Sequence, residues 1–166
     1  LTIKQAGNNE SVTTPTLDPT KTYAFRKTDK LVSGQAYVMV ATKNNKLWAC
    51  NDPSSDATNY SKGYAYPKGI EVEDINGEVA VSGAAAYVFT VSADGFTMMN
   101  YGSKKYILQT GTFGSFNLAD CDTLRIKLRN LFDSVINLLD FIPRCLADYT
   151  VGSKVGAVYL YRCLIV

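Results

Sequence analysis

The chain contains no histidine, so the commonest general base is missing. Ser-His-Asp and Cys-His nucleophile arrangements are excluded with it. Carboxylates are what is left for acid–base work. Glu71, Glu73 and Asp74 form an acidic run on a predicted strand, and Glu71 and Glu73 fall on one face at period two. Two carboxylates on either side of a sugar could cleave a glycosidic bond. A solvated strand face accounts for the same residues and is preferred, because nothing else in the chain resembles a sugar-cleaving cleft. Asp52, Asp56 and Asn59 carry the oxygen ligands that calcium takes, but their order matches no EF-hand loop. Gly111-Thr112-Phe113-Gly114 lacks the Lys and the following helix of a phosphate loop and reads as a turn. The expectation is a protein with no catalytic residues, no metal and no cofactor.

Cysteines stand at 50, 121, 145 and 163, none in a C-x-x-C pair. Without histidine there is no mixed Cys/His zinc site. An even count allows two disulfides in three connectivities. Burial of each thiol as a small apolar side chain is the other reading, and both stay open.

Aromatic residues give the strongest binding signal. Tyr60, Tyr64 and Tyr66 crowd a polar stretch, and Trp48, the only tryptophan, lies on the predicted strand just before it. Aromatic rings among small polar residues offer broad apolar area with polar rims, which suits flat contact with a sugar or a protein partner. The competing reading is a plug folded over the end of a β-structure. Trp48, Tyr60, Tyr64 and Tyr66 are the candidate ligand-binding residues.

These residues must be positioned by strands. From Tyr23 onward, β-branched and aromatic residues recur at period two: Val38 and Val40 around Met39, Phe89 and Val91 around Thr90. Ser33-Gly34, Asn44-Asn45, Asn76-Gly77, Asp94-Gly95 and Gly111 punctuate them as tight turns. Asn76-Gly77, between IEVED and EVAVS, is the strongest hairpin signal. Residues 86–118 read as four strands, 124–161 repeat that rhythm loosely, and 23–50 give a weaker copy. Recurrence at about 40 residues marks stacked or symmetric units. The predicted fold is all-β, a β-trefoil-like three-copy barrel, with another antiparallel β-barrel or a sandwich as the alternative. Residues 1–22 read as a lead-in segment or linker, and 23–166 as a single β-domain with an inserted loop at 51–69. The stretch 124–139 is read as two strands around an Asn130–Asp133 turn rather than as a helix. Val38, Val40, Phe89, Val91, Ile107, Ile126, Ile136, Val158 and Leu160 are expected to line one shared core.

Composition bounds the function. A chain of 166 residues, 46% hydrophobic and 19% charged, is globular and large enough to bury most of its apolar surface. A formal charge of +2, with Lys and Arg scattered, does not point to nucleic acid. No apolar run reaches the ~20 residues that span a bilayer. The chain opens on Leu1, and any signal peptide or lipid anchor is expected upstream.

Asp94, Gly95, Tyr106, Gly111, Ser115, Phe116 and the closing Tyr159-Leu160-Tyr161 resemble a β-rich domain of secreted proteins and lipoproteins of gut Bacteroidetes. The similarity covers roughly residues 23–166. Leu124 to Asp133 departs from it, lacking the Trp and the Asp-Gly turn that usually open the third copy. The resemblance implies export to the periplasm, the outer-membrane surface or the extracellular space, and it carries no activity. The expected function is a non-catalytic binding or interaction module of an exported bacterial surface protein, with a glycan or protein partner. A structural accessory domain without a ligand is the alternative, and a carboxylate-dependent glycosidase the remote one.

Overall fold

The computed structural model describes residues 2–4, 14–55, 69–92, 95–110, 115–120, 126–127 and 158–164. Thirteen strands run through them: β1 (Thr2–Lys4), β2 (Thr22–Thr28), β3 (Lys30–Val32), β4 (Ala36–Lys43), β5 (Lys46–Cys50), β6 (Gly69–Val72), β7 (Glu78–Ser82), β8 (Tyr87–Ser92), β9 (Gly95–Asn100), β10 (Tyr106–Thr110), β11 (Ser115–Ala119), β12 (Ile126–Lys127) and β13 (Val158–Cys163). A single 3₁₀ turn, Gly83–Ala85, is the only helical element among the described residues. The protein is all-β, as the alternation of apolar residues predicts.

Eleven strands form one antiparallel sheet in the order β11-β10-β9-β8-β4-β13-β2-β7, with β5 and β6 branching from β4 and β12 pairing with β9. No pairing among the described strands closes the sheet, and they do not by themselves make up the three-copy barrel expected from the repeats. A separate parallel pair joins β1 to β3.

Packing explains the difference from a barrel. A barrel has one apolar interior, whereas this sheet carries apolar clusters on both faces. On the first face lie Leu31, Tyr37, Met39, Phe89, Phe96, Met98, Ile107 and Leu160. On the second lie Phe25, Val38, Val40, Val79, Val81, Val88, Tyr161 and Cys163. Strand β4 is shared by the two, and its residues from Ala36 to Ala41 are all fully buried. The expected single core is therefore two: Phe89, Ile107 and Leu160, with Val91 packed alongside, belong to the first cluster, and Val38 and Val40 to the second. When both faces of a strand are apolar, period two no longer tells which side is inside. The side chains of Ile126, Ile136 and Val158 lie outside the described residues.

Turn chemistry sets the register. Asn44 and Asn45 both have positive φ, 53° and 60°, and join β4 to β5 as the primed turns of tight hairpins require. Asn76 and Gly77 adopt the same conformation, at 56° and 83°, and bridge Ile75 to Glu78. The turn predicted there is present, but it does not make a hairpin of its flanking strands. Strand β6 pairs with β5, and β7 pairs with β2. From β8 to β11 the chain forms a meander, with Ser92 opposite Gly95 and Thr110 opposite Ser115. This matches the four-strand reading of residues 86–118. In the 124–139 stretch, β12 is strand, and the remainder lies outside the described residues.

Residues 14–22 are tied to the sheet. Leu17 is buried in the second cluster, and the Tyr101 hydroxyl donates to the Pro15 carbonyl. The Asp18 amide donates to the Tyr23 hydroxyl at 2.8 Å. Gly83 donates to the Lys21 carbonyl, and a Cβ at Gly83 would collide with the Asp18 carbonyl. That close approach is what a glycine permits.

Candidate functional site at the Trp48 edge

Of the four candidate binding residues, the structure places Trp48. Tyr60, Tyr64 and Tyr66 lie outside the described residues, so their contact with Trp48 is not seen. Trp48 sits on β5, opposite Ala41 of β4 on one side and Glu71 of β6 on the other. Directly opposed residues share a face. The residue is half-buried and packs against the first cluster.

Charge frames the ring. Lys46, two residues before Trp48 and on the same face, reaches both carboxylate oxygens of Glu71, at 2.7 and 2.9 Å. Both side chains are about half exposed, so the pair contributes little to stability, on the order of 0–1 kcal/mol. Glu71 is thus engaged by an ammonium, and Glu73 lies exposed beyond the end of β6. The arrangement is that of a solvated strand edge.

The segment bearing the tyrosines is firmly rooted. Cys50 is opposite Gly69 in the ladder, so the chain leaves and rejoins the sheet at one place. The buried Tyr87 hydroxyl donates to the Asn51 carbonyl at 2.6 Å and lies 3.4 Å from the Cys50 sulfur. Asp52 Oδ1 accepts from both the amide and the hydroxyl of Ser54, at 2.8 and 2.6 Å, as Asp does in tight turns. Its other oxygen lies where a Cβ on Gly102 would fall, so the loop root packs against the β9–β10 turn. Asp52, one of the three suggested calcium ligands, has one oxygen committed to Ser54. Asp56 and Asn59 lie outside the described residues, and no metal-binding group of three side chains occurs among those described.

Cys50 and Cys163 are buried thiols in clusters on opposite faces of the sheet, so they do not bridge each other. Cys121 and Cys145 lie outside the described residues.

Three polar features went unread in the sequence. Asn100 is fully buried at the end of β9. Its amide nitrogen donates to the carbonyls of Ala84 and Ala86 at 2.8 and 3.2 Å. Its amide oxygen accepts from Ser103 N and Oγ at 2.9 and 3.1 Å. Tyr161, also fully buried, donates its hydroxyl to Asp74 Oδ2 at 2.7 Å. Burial pushes its phenol pKa far up, and the Asp74 carboxylate, which holds the hydroxyl proton, adds to the rise. Burial also raises Tyr37, partly offset by the Val32 amide and by Arg162. Third, Arg162 stands directly opposite Arg26 in the β13–β2 ladder. A polar residue closing an apolar strand next to turn residues was the available signal for Asn100. None existed for Tyr161–Asp74 or Arg162–Arg26, whose partners are far apart in sequence.

Among the described residues, no helix is long and apolar enough to cross a membrane. No family model, curated protein or solved structure matches the chain. The class it can be given is therefore structural: an all-β protein built on an open antiparallel sheet with apolar clusters on both faces.

Proposed function

We propose that this chain is a non-catalytic binding module of an exported bacterial surface protein, and that it contacts a glycan or protein ligand at the Trp48 edge. One observation carries the reading. The only tryptophan is half-buried on a strand paired on both sides, beside the Lys46–Glu71 pair and at the root of the segment that holds Tyr60, Tyr64 and Tyr66. A ring fixed by packing loses little entropy on stacking, and the flanking ion pair supplies donors and acceptors for a polar rim. Export rests on the resemblance of Asp94-Gly95, Tyr106, Ser115-Phe116 and Tyr159-Leu160-Tyr161 to secreted domains. A three-copy, β-trefoil-like arrangement of the strands belongs to the same proposal. It is supported by four strands within Thr22–Cys50 and four more within Tyr87–Ala119.

A single tryptophan makes the test direct. Indole fluorescence followed during titration with host and microbial polysaccharides should shift and saturate for the ligand. Trp48→Ala, and Tyr60, Tyr64 and Tyr66 replaced together by Ala, should each abolish capture on a glycan array while the chain stays folded. A triple mutant that unfolds identifies the tyrosines as a plug. Folded variants that bind as the parent does place the site elsewhere.

A further inference from the structure

The two faces of the sheet end differently across β7, β2 and β13. The second cluster continues through Phe25, Val79, Val81 and Cys163 to the β7 edge. On the first face, the core runs along β13 only as far as Leu160. The next residues on that face are exposed: Arg162 and Leu164 at the end of β13, Arg26 and Ala24 on β2, and Ala80 on β7. The Leu164 amide donates to the Ala24 carbonyl at 3.3 Å, so the ladder carries Leu164 onto this surface. Leu164 is 37% exposed, one of two large hydrophobic residues so exposed among those described. Ala24 and Ala80, paired beside it, add only methyl groups to this surface.

Its charge is unbalanced. The ladder runs Tyr37–Arg162–Arg26–Glu78 across four strands. Like charges directly opposed in a ladder are unfavourable. Glu78 offsets Arg26, accepting from its Nε and Nη2 at 3.0 and 2.6 Å. Among the described residues no carboxylate pairs with Arg162. A guanidinium fixed on a strand, beside an exposed leucine and alanines, is complementary to a carboxylate on an otherwise apolar surface.

We propose that the exposed face of β7–β2–β13 is a docking surface for an acidic protein segment, with a partner carboxylate pairing with Arg162 and an apolar side chain resting on Leu164. Apolar contact next to a charged anchor favours a polypeptide over a highly sulfated glycan, which offers charge without an apolar face. This surface lies apart in the fold from the Trp48 edge and does not depend on the function assigned there.

Poly-L-glutamate is the probe, poly-L-glutamine the uncharged control and heparin the glycan control. Each is titrated into the ¹⁵N-labelled chain. Poly-L-glutamate should shift the amides of residues 22–26, 78–82 and 162–164, and poly-L-glutamine should not. Arg162→Glu should weaken binding by at least about tenfold, the loss expected for one charge-assisted pair turned repulsive. The fold should tolerate this change, because it also removes the opposition to Arg26. Arg162→Gln should weaken binding less, and Lys30→Gln, an exposed cation on β3, should leave it unchanged. Three results overturn the proposal: no shifts at these amides, equal loss with Lys30→Gln and Arg162→Glu, or binding of heparin but not poly-L-glutamate.

Discussion

Strand β2 borders two surfaces that share a backbone and differ in everything else. Phe25 is fully buried between Val79 and Cys163, while its neighbours Ala24 and Arg26 face outward. Strand β4, two places along the sheet, has no such contrast: both of its faces are closed over. Stability in this protein is therefore concentrated where β4, β8 and β13 meet. The surfaces free to meet another molecule lie where one core stops, at the Trp48 edge and on the outer face of β2 and β7.

The largest test of that contrast is aromatic truncation. Phe89 packs edge-on to Tyr37, with ring centroids 5.7 Å apart, and against Phe96 at 5.9 Å. Phe89→Ala in one cluster and Phe25→Ala in the other should each cost about 3–5 kcal/mol in urea unfolding. Ala24→Ser, one residue from Phe25, should stay within about 0.5 kcal/mol. A small loss at either phenylalanine would show that its face is not a core.

Asn100→Ala comes next, at about 1–3 kcal/mol, because it takes the side-chain donor from the Ala84 carbonyl, leaves the Ala86 carbonyl with the Tyr101 amide alone, and removes the acceptor that holds Ser103. Thermal unfolding would read this as a lowered midpoint.

High pH should act on the buried phenols. Tyr37, Tyr101 and Tyr161 all have pKa values raised first by burial, above the ordinary phenol value of about 10. The folded chain then holds protons that the unfolded chain loses. Stability from these groups is complete below about pH 10 and falls as pH rises toward their folded values. Tyr161→Phe should make the decline shallower. A slope unchanged by that substitution would mean that Tyr161 titrates normally.

The smallest effect is at the outer surface. Arg162→Glu should leave stability unchanged or raise it by a few tenths of a kcal/mol, since it turns the pair with Arg26 from repulsive to attractive. A marked loss would place Arg162 in a structural role.

Much of the fold was legible. The β8–β11 meander and the Asn44-Asn45 hairpin follow from local alternation and turn residues, and both are present. Closure was not legible, because Val38, Met39 and Val40 are all apolar and assign β4 to neither side. The Asn76-Gly77 turn was readable, but its strands' partners were not, since β7 chooses β2 from across the sequence. Trp48 and Glu71 could each be picked out by type, but Lys46 could not, and only the pairing of β5 with β6 shows that Glu71 is bound to its ammonium. The Arg162–Arg26 surface left no trace in sequence, because it depends on β13 lying beside β2.

The most direct measurement compares two alanines on the same face of the sheet. Ala41, on β4, is fully buried in the first cluster, and Ala24, on β2, lies beyond its end. Each is replaced by cysteine, and the native protein is treated with a chromogenic disulfide reagent. Ala24→Cys should add one fast-reacting thiol over the parent chain, and Ala41→Cys should add none until the protein is unfolded. If both new thiols are protected, the core extends over β2 and no open surface exists there. If both react quickly, the first cluster is not a buried core.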